Sequence, residues 1–316
     1  MLGAIHGLGM LYANQDKLGE AEKMYQRALE GKEKALGPDH VATLNTVNNL
    51  GSLYKSQGKL GEAEKMYQRA LEGTDKALGP DHTSTLDTVN NLGLLYAGQG
   101  KLGEAEKMYQ RALEGTEKAL GPDHTSTLST VNNLGLLYKS QGKLGEAEKM
   151  YQRALEGMEK ALGPDHTSAL DTVNNLGNLC KSQGKLGEAE KMYQRTLEGY
   201  EKALGPDIAA SYIPALDTVY NLGLLFASQG DKGRARAMYL RALAGYQNVF
   251  GDDYQECRDI QEKLSSLHIS ASERNISTDA TGYSTPIISQ GMLHSNTQRN
   301  TLVSKRRRLL QKLGWR

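Results

Sequence analysis

The amino-acid sequence repeats itself almost letter for letter every 42 residues. The tripeptide Gly-Pro-Asp marks the repeat and starts at Gly37, Gly79, Gly121, Gly163 and Gly205. Self-similarity at a fixed period of this length indicates stacked supersecondary units, because one unit alone cannot bury its apolar face. The repeat unit therefore constrains the fold more strongly than any other feature of the sequence.

Two amphipathic helices fit into one unit. Apolar residues at helical spacing predict a first helix over residues 84–99 and a second helix over residues 101–120. Ser84 with Asp87 resembles an N-terminal capping box, and Gly100 is a left-handed stop between the helices. The residues expected to be buried are Leu86, Val89, Leu92, Gly93 and Tyr96 in the first helix and Leu102, Ala105, Met108, Tyr109, Ala112, Leu113, Ala119 and Leu120 in the second. The ion pairs predicted at i,i+4 spacing are Glu72/Lys76, Glu114/Lys118, Glu156/Lys160 and Glu198/Lys202.

The pattern of small and aromatic residues in this unit resembles the tetratricopeptide repeat. The matching residues are Leu92-Gly93, Tyr96, Ala105, Tyr109 and Ala112. The resemblance implies an all-α fold, a right-handed superhelical solenoid of tetratricopeptide-like helical hairpins. The unit lacks the family's Trp and Pro and is longer than the usual repeat of about 34 residues. This long form resembles kinesin light chains and the repeat arrays of fungal nucleotide-binding (NACHT/NB-ARC) sensor proteins.

The repeats and the composition divide the chain into four parts. We predict six repeats over residues 1–250, the first of them truncated at its N-terminus, and a capping helix over residues 251–268. Residues 269–300 are rich in Ser, Thr and Asn without periodicity, which predicts a disordered linker. Residues 301–316 form a basic tail. Because Met1 falls inside the first helix of a repeat, we expect either a preceding segment in the natural protein or a fragment.

Charge is distributed unevenly along the chain. Seven of the 38 basic residues and none of the 37 acidic residues lie from Arg299 onward, so the remaining chain carries a net charge of −6. The cluster Lys305, Arg306, Arg307 and Arg308 fits a nuclear-import signal, a contact with an acidic surface or a merely solvated tail. Nucleic-acid binding is less favoured, because the body is acidic and no aromatic residues interleave with the basic ones.

The composition also indicates a compartment. No stretch resembles a signal peptide or a membrane span. The two cysteines do not imply a disulfide framework, and Cys180 is expected to be a buried small side chain in place of a core tyrosine. These features predict a cytoplasmic protein, with entry into the nucleus possible through the basic tail.

The few differences between repeats mark candidate binding positions. With Leu86 as position 1 of the first helix, positions 2, 9, 12 and 13 vary and lie on one helical face. The variable residues are Asn45, Asp87, Ser129 and Asp171 at position 2, Ser52, Leu94, Leu136 and Asn178 at position 9, and Lys55-Ser56, Ala97-Gly98, Lys139-Ser140 and Lys181-Ser182 at positions 12 and 13. Between them lies a constant asparagine pair, namely Asn48/Asn49, Asn90/Asn91, Asn132/Asn133 and Asn174/Asn175. The resemblance implies that this face lines a concave groove where peptides bind.

Two interpretations of this face remain open. In the first, the asparagine amides hold an extended peptide backbone, because each offers both donors and an acceptor, and Lys55, Lys139 and Lys181 favour an acidic partner. In the second, the asparagines bond one another to rigidify the array, and exposed positions drift because nothing restrains them. The second helix argues for the first interpretation, because its exposed positions recur unchanged. These constant positions are Glu104, Glu106, Lys107, Gln110 and Arg111.

The chemical motifs in the sequence do not indicate catalysis. The run Gly98–Gly103 matches a dinucleotide fingerprint but lacks the preceding strand that such a site requires. The histidines that recur once per repeat are expected to cap loops, since stacked repeats hold them too far apart to share a metal. We therefore expect no enzyme, no cofactor, no metal, no small-molecule substrate and no membrane contact. The sequence predicts a protein–protein interaction module, most consistent with the repeat region of a sensor protein. The alternatives are a kinesin-light-chain-like cargo adaptor and a standalone scaffold.

Overall fold

The structure of the chain, a computed structural model, describes residues 1–267 and is all-helical over them. The helices are α1 (Leu2–Ala13), α2 (Leu18–Leu36), α3 (Val41–Ser56), α4 (Leu60–Leu78), α5 (Thr83–Gly98), α6 (Leu102–Leu120), α7 (Thr125–Ser140), α8 (Leu144–Leu162), α9 (Thr167–Ser182), α10 (Leu186–Leu204), α11 (Pro206–Ala209), α12 (Ile213–Ser228), α13 (Lys232–Phe250) and α14 (Gln255–Ser266). The predicted linker and the basic tail, with Lys305, Arg306, Arg307 and Arg308, lie outside the described residues. The boundaries of the six-repeat array remain a prediction.

The contacts divide the chain into two compact units, each of which is described by itself. Unit 1 is Met1–Arg195, and unit 2 begins at Thr196. Consecutive helices pair as hairpins, α1 with α2, α3 with α4, α5 with α6 and α7 with α8 in unit 1, and α12 with α13 in unit 2. Each second helix in unit 1 also packs on the first helix of the next repeat. An all-α stack of hairpins is therefore present, as predicted.

The helix ends follow the predicted punctuation with one exception. Gly100 has a φ of +74°, which only glycine adopts readily, and it separates α5 from α6. The capping box at Ser84 was a wrong prediction, because the cap is His82, whose Nδ1 accepts a hydrogen bond from the Ser84 backbone N–H at 3.2 Å. The first helix therefore begins at Thr83. The same cap recurs at His40, His124 and His166, which confirms the loop-capping role expected for these histidines.

Close helix packing inside each hairpin depends on two glycines. A Cβ atom at Gly93 would lie 2.7 Å from the ring of Tyr109, so the first helix must carry glycine where the tyrosine crosses it. A Cβ atom at Gly115 would overlap the side chain of Leu86, which locks the same hairpin from the second helix. The sequence predicted that Gly93 and Tyr109 are buried, but it did not predict the contact of either glycine.

Most of the predicted core is buried, but the second helix shows differences. Ala105, Tyr109 and Ala112 are buried, together with Gly115 and Thr116, which were not predicted. Residues of the predicted core that are only half-buried are Tyr96, Leu102, Met108, Leu113 and Leu120. Ala119 is exposed, so its predicted burial was wrong. The last turn of the second helix is therefore partly exposed to solvent.

Ion pairs join the second helices of neighbouring repeats in unit 1. Each second helix carries an arginine equivalent to Arg111, and this arginine binds an acidic residue 36 positions earlier, in the second helix of the preceding repeat. The pairs are Arg69–Glu33 (2.6 Å), Arg111–Asp75 (2.7 Å), Arg153–Glu117 (2.5 Å) and Arg195–Glu159. Arg111 and its counterparts are half-buried, so their constancy has a structural cause.

A second polar contact joins the second helix of one repeat to the turn between the two helices of the next repeat. Glu106 accepts hydrogen bonds from Gln141 Nε2 at 2.9 Å and from Lys143 Nζ at 3.5 Å, and the Lys143 ammonium also lies over the Tyr138 ring, 5.2 Å from its centroid. The hydrogen bond from Gln141 lowers the pKa of Glu106 more than any other cause. Glu106 is therefore a bridge between repeats and not a freely solvated carboxylate, whereas Glu104 is exposed.

The predicted i,i+4 ion pairs form in part. Lys76 binds Glu72 at 2.7 Å, as expected. Lys118 instead binds Asp81, in the loop of its own repeat, and Lys160 binds Asp123 at 3.2 Å in the same way. The loop carboxylate competes with the helix carboxylate for the same ammonium group.

The remaining sequence predictions concern the later part of the chain. Cys180 is half-buried instead of buried, and its Sγ lies 3.9 Å from Glu188 Oε2. In unit 2, the sixth repeat carries four extra residues before its first helix, where the short helix α11 forms, and Pro214 lies in the first turn of α12. Within the predicted capping segment, α14 buries Cys257 and Ile260.

Candidate functional site

The predicted site residues lie on one continuous row of helices in unit 1. Helix α3 contacts α5, α5 contacts α7, and α7 contacts α9. Equivalent positions on these helices therefore follow one another from repeat to repeat. We call this surface the first-helix face, and it comprises the variable positions 2, 9, 12 and 13 together with the asparagine pairs.

The asparagine pairs bond across the repeats. The second asparagine of each pair donates from Nδ2 to Oδ1 of the first asparagine of the preceding repeat. The bonds are Asn91 to Asn48 (3.2 Å), Asn133 to Asn90 (3.1 Å) and Asn175 to Asn132 (3.1 Å). His6 takes the first place in this series, with its Nε2 3.1 Å from Asn49 Nδ2. The structure therefore contains the ladder that the second interpretation of the sequence describes.

The ladder leaves hydrogen-bonding capacity on the same side chains. An asparagine amide has two N–H donors and two acceptor lone pairs. Within residues 1–267, the Nδ2 groups of Asn48, Asn90 and Asn132 make no hydrogen bond, because only the Oδ1 atoms of these residues are used. The side chains are half-buried. The ladder and a role in partner binding are thus compatible.

The lysines of this face are partly removed from water. Lys55 and Lys139 are half-buried, and burial lowers the pKa of both side chains. Neither ammonium group forms a salt bridge with a described residue. A half-buried cation without a carboxylate attracts an anionic group, because pairing recovers part of the desolvation cost. Lys181, the third predicted lysine, is also half-buried.

The face also carries a negative charge at Asp87, which is exposed to solvent. Desolvation raises the pKa of its carboxyl group more than nearby His82 lowers it. The equivalent residue of the next repeat is Ser129, so the charge is not continued there.

Position 9 of the first helix faces a buried tyrosine hydroxyl of the same repeat. Tyr67 donates to Ser52 Oγ at 2.9 Å, and Tyr193 donates to Asn178 Oδ1 at 2.8 Å. In the two middle repeats, position 9 is leucine, and the Tyr151 hydroxyl is buried without a hydrogen-bond partner among the described residues. Leaving a buried hydroxyl unpaired costs about 1–3 kcal/mol. Sequence reasoning missed these hydroxyl contacts, because the partners are 15 residues apart on different helices.

The first repeat contains a polar cluster that the sequence did not reveal. Lys32 is buried, and its Nζ donates to Thr46 Oγ1 at 2.8 Å and to the Ala42 carbonyl at 3.1 Å. Burial and, secondarily, the Lys32 charge lower the pKa of His6 to about 4. His6 is therefore neutral at pH 7, which suits its place at the start of the ladder.

In unit 2, the first helix α12 differs from those of unit 1 at the position of the asparagine pair. Tyr220 takes the place of the first asparagine, and a recess of about 390 Å³ lies beside it. The recess is lined by Tyr220, Asp259, Glu262, Lys263 and Ser266. Desolvation, then Asp259 and Glu256, raise the pKa of the Tyr220 hydroxyl. None of these residues belongs to the predicted site.

The described residues do not contain groupings for other chemistry. Over residues 1–267, no cluster of three His, Cys, Asp or Glu side chains is close enough to hold a metal ion. Within the same range, no helix combines the length and the hydropathy needed to cross a bilayer. The histidines at the helix caps use Nδ1 to hold the backbone.

Helical hairpins that stack through a recurring packing core and present a polar face of first helices define a helical repeat protein, a fold that is typical of protein–protein interaction. The tetratricopeptide repeat family model matches residues 1–76, 46–118, 84–160 and 126–202, and a second tetratricopeptide repeat model matches residues 216–253. The chain therefore belongs to the tetratricopeptide repeat family, whose members generally act in protein–protein interaction. No curated protein matches the chain.

Several solved structures share the fold. BtubC (BKLC) from P. vanneervenii is 22% identical with a TM-score of 0.59, and the match covers 89% of this chain and 99% of that chain. A Podospora anserina protein described as a putative kinesin light chain with nearly identical TPR-like repeats is 22% identical with a TM-score of 0.53, covering 64% of this chain and 96% of that one. A Rap protein complexed with competence and sporulation factor is 15% identical with a TM-score of 0.57, covering 83% and 73%. At these identities the likeness shows the fold, and its neighbours include kinesin-light-chain-like repeat proteins.

Proposed function

We propose that the chain is a non-enzymatic module that binds an extended, acidic segment of a partner protein along the first-helix face of unit 1. The observation that carries the proposal is the pair Lys55 and Lys139, half-buried cations without a carboxylate partner among the described residues. They flank the asparagine ladder, which retains donors that peptide carbonyl groups can use. Lys181 is proposed to extend the same row.

The ladder supports a backbone-directed mode of binding. The free Nδ2 groups of Asn48, Asn90 and Asn132 recur once per repeat, and packed helices are about 8–10 Å apart. An extended chain in the polyproline II form rises about 3.1 Å per residue with three residues per turn, so every third peptide carbonyl points the same way and comes level with one asparagine. The proposed complex therefore requires no particular peptide sequence at these positions, and the lysines supply the preference for acids.

The proposed cellular context is the repeat region of a nucleotide-binding sensor protein, because nearly identical units are typical of such arrays. The kinesin-light-chain-like cargo adaptor is the alternative, favoured by the described likeness to the Podospora protein. The coding sequence upstream of the Met1 codon distinguishes them. A P-loop domain there supports the sensor, apolar heptads support the adaptor, and an immediate stop codon contradicts both.

The binding mode is tested with random peptides about twelve residues long, which reach about 40 Å when extended. They are selected on the immobilised wild-type chain and on the double variant Lys55→Glu/Lys139→Glu. The matched control is Lys149→Glu, an exposed lysine on the second helix α8. We expect the wild type and the control to enrich acidic peptides and the double variant to lose that enrichment, with unchanged far-ultraviolet circular dichroism.

The purely structural scaffold is the second candidate, and the hydrogen bonds of the ladder favour it. If this candidate is right, the wild type enriches no peptide, although the variants fold normally. If all three proteins enrich the same acidic peptides with equal affinity, a partner binds elsewhere and the first-helix face is not the site.

A further inference from the structure

We propose that Leu94 and Leu136 form an apolar subsite in the middle of the first-helix face, which receives two apolar side chains of the bound acidic segment. This inference rests on the proposed function and adds a sequence requirement to it. Leu136 has 40% of its surface exposed, and Leu94 is half-buried. Both occupy position 9, in neighbouring repeats whose first helices are in contact.

The choice of leucine at position 136 is unfavourable for the protein alone. The repeats on either side carry Ser52 and Asn178 at position 9, and both accept a hydrogen bond from the buried tyrosine of their own repeat. The equivalent hydroxyl of Tyr151 has no partner among the residues described, although the ring packs on its helix as in the other repeats. Leucine leaves a buried donor unpaired and also exposes apolar surface to water.

The subsite is continuous with the groups that bind the backbone and the acids. Asn132, Leu136 and Lys139 are separated by four and three residues, so they lie on one stripe of α7. A ligand side chain that packs on Leu136 therefore has Lys139 one turn away for a neighbouring carboxylate. The charge of Lys139 and the apolar surface of Leu136 together favour a segment in which apolar and acidic residues are adjacent.

The distance between the two leucines sets the spacing of the ligand. Packed helices are about 8–10 Å apart. In the polyproline II form of an extended chain, which has three residues per turn, the side chains of residues i and i+3 lie on the same side about 9 Å apart. We therefore expect apolar residues at positions i and i+3 of the segment. A β-extended chain instead brings residues i and i+2 to the same side, but their separation of about 7 Å falls short of the neighbouring leucine.

The test uses variants in which the leucine at position 9 is replaced by the residue that another repeat carries at that position. Leu136→Asn places at this position the residue found at Asn178, and Leu94→Ser places the residue found at Ser52. The control is Leu162→Asn, an equally exposed leucine at the end of α8, away from the first-helix face. The probes are acidic peptides about twelve residues long with two leucines spaced i,i+3, and matched peptides with i,i+2 spacing or with serine in place of leucine.

We expect the i,i+3 peptide to bind the wild type and Leu162→Asn about tenfold more tightly than the serine peptide, as measured by fluorescence polarisation; this factor corresponds to about 1.4 kcal/mol. The double variant Leu94→Ser/Leu136→Asn is expected to lose this difference in affinity and still to bind the acidic serine peptide. The melting temperature of Leu136→Asn is expected to rise, by on the order of 2 °C, because the Tyr151 hydroxyl gains an acceptor.

Two results would overturn the subsite. If the wild type binds the leucine and serine peptides equally, the acidic groove remains and the apolar requirement is wrong. If the double variant keeps the preference for leucine, the apolar contact lies elsewhere. Binding of no acidic peptide by any variant contradicts the proposed function itself and the subsite with it.

Discussion

The first helices and the second helices of unit 1 differ in which of their surface positions change between repeats. On the second helices, Glu106 and Arg111 recur unchanged because each bonds to a neighbouring second helix or turn. On the first helices, the asparagine pairs recur unchanged for the same reason. The bonds between repeats therefore account for the constancy of these particular positions on both the first and the second helices.

The comparison also identifies positions on the first-helix face that are available to contact a partner. Lys55, Lys139 and Leu136 lie at variable positions and do not bond to the neighbouring repeat. Glu104 and Lys107, by contrast, recur unchanged although both are exposed. Variation on the first-helix face thus exceeds what exposure alone produces, and this difference supports a role in specificity.

The largest effect is expected where two helices touch inside a hairpin. Gly93→Ala places a methyl group against the Tyr109 ring and should lower the free energy of unfolding by about 1–3 kcal/mol. Gly103→Ala, at a helical glycine with open space around it, should be neutral or stabilise by up to about 1 kcal/mol. Urea unfolding of both variants measures the difference. Equal stabilities of the two variants would show that the hairpin accommodates a methyl group at Gly93 despite the short distance to the Tyr109 ring.

A smaller effect is expected from the first rung of the ladder. Because the pKa of His6 is lowered from 6.5 to about 4 in the folded state, the unfolded chain binds a proton that the folded chain does not between these values. Stability should therefore fall as the pH drops from about 6.5 to 4, by no more than about 2 kcal/mol after allowance for solvent screening.

The variant His6→Asn tests the origin of this pH dependence, because asparagine stands at the same position in the next repeats. Its melting temperature should vary less over that range than that of the wild type. Tyr25, whose ring lies beside His6, has its pKa raised to about 12 by burial and does not change protonation in this window. Identical pH profiles would assign the dependence to other groups.

The ladder itself should contribute less per rung. Asn133→Ala removes the donor to Asn90 and should destabilise by about 1 kcal/mol. Asn45→Ala, at an exposed position without a hydrogen bond among the described residues, should change stability by less than about 0.5 kcal/mol. Chemical denaturation compares them. If Asn45→Ala costs as much as Asn133→Ala, the ladder is not what makes the asparagine pairs constant.

The smallest effects sharpen the comparison of constant positions. Glu106→Ala removes a bridge between repeats and should cost about 0.5–1 kcal/mol, in the range of partly exposed ion pairs. Glu104→Ala and Lys107→Ala should each stay within about 0.5 kcal/mol of the wild type. Thermal unfolding measures all three. A large loss for Glu104→Ala would mean that this exposed position is also restrained by structure.

The sequence predicted the repeat, the helices and most of the hairpin core, because these depend on contacts within one unit. The buried Gly93 and Tyr109 and the stop at Gly100 are examples. The sequence predicted Ser84 as the N-cap of the first helix and was wrong, because His82 is the cap and its Nδ1 accepts the hydrogen bond from the Ser84 backbone N–H. It placed all asparagine pairs on one face, but it left open whether they bond one another.

What the sequence alone determined is the period, and with it the family, because a 42-residue repeat with small residues at fixed places admits only stacked helical hairpins. The tertiary structure decided which atoms of each side chain remain available. The recurring polar contacts between repeats join residues 35 to 43 positions apart, as in Gln141 with Glu106 and Asn91 with Asn48. These partners depend on the offset between stacked hairpins, which no local pattern encodes. Inside a hairpin, the crossing of the two helices pairs the Tyr193 hydroxyl with Asn178, whereas the Tyr151 hydroxyl is buried without a partner among the described residues.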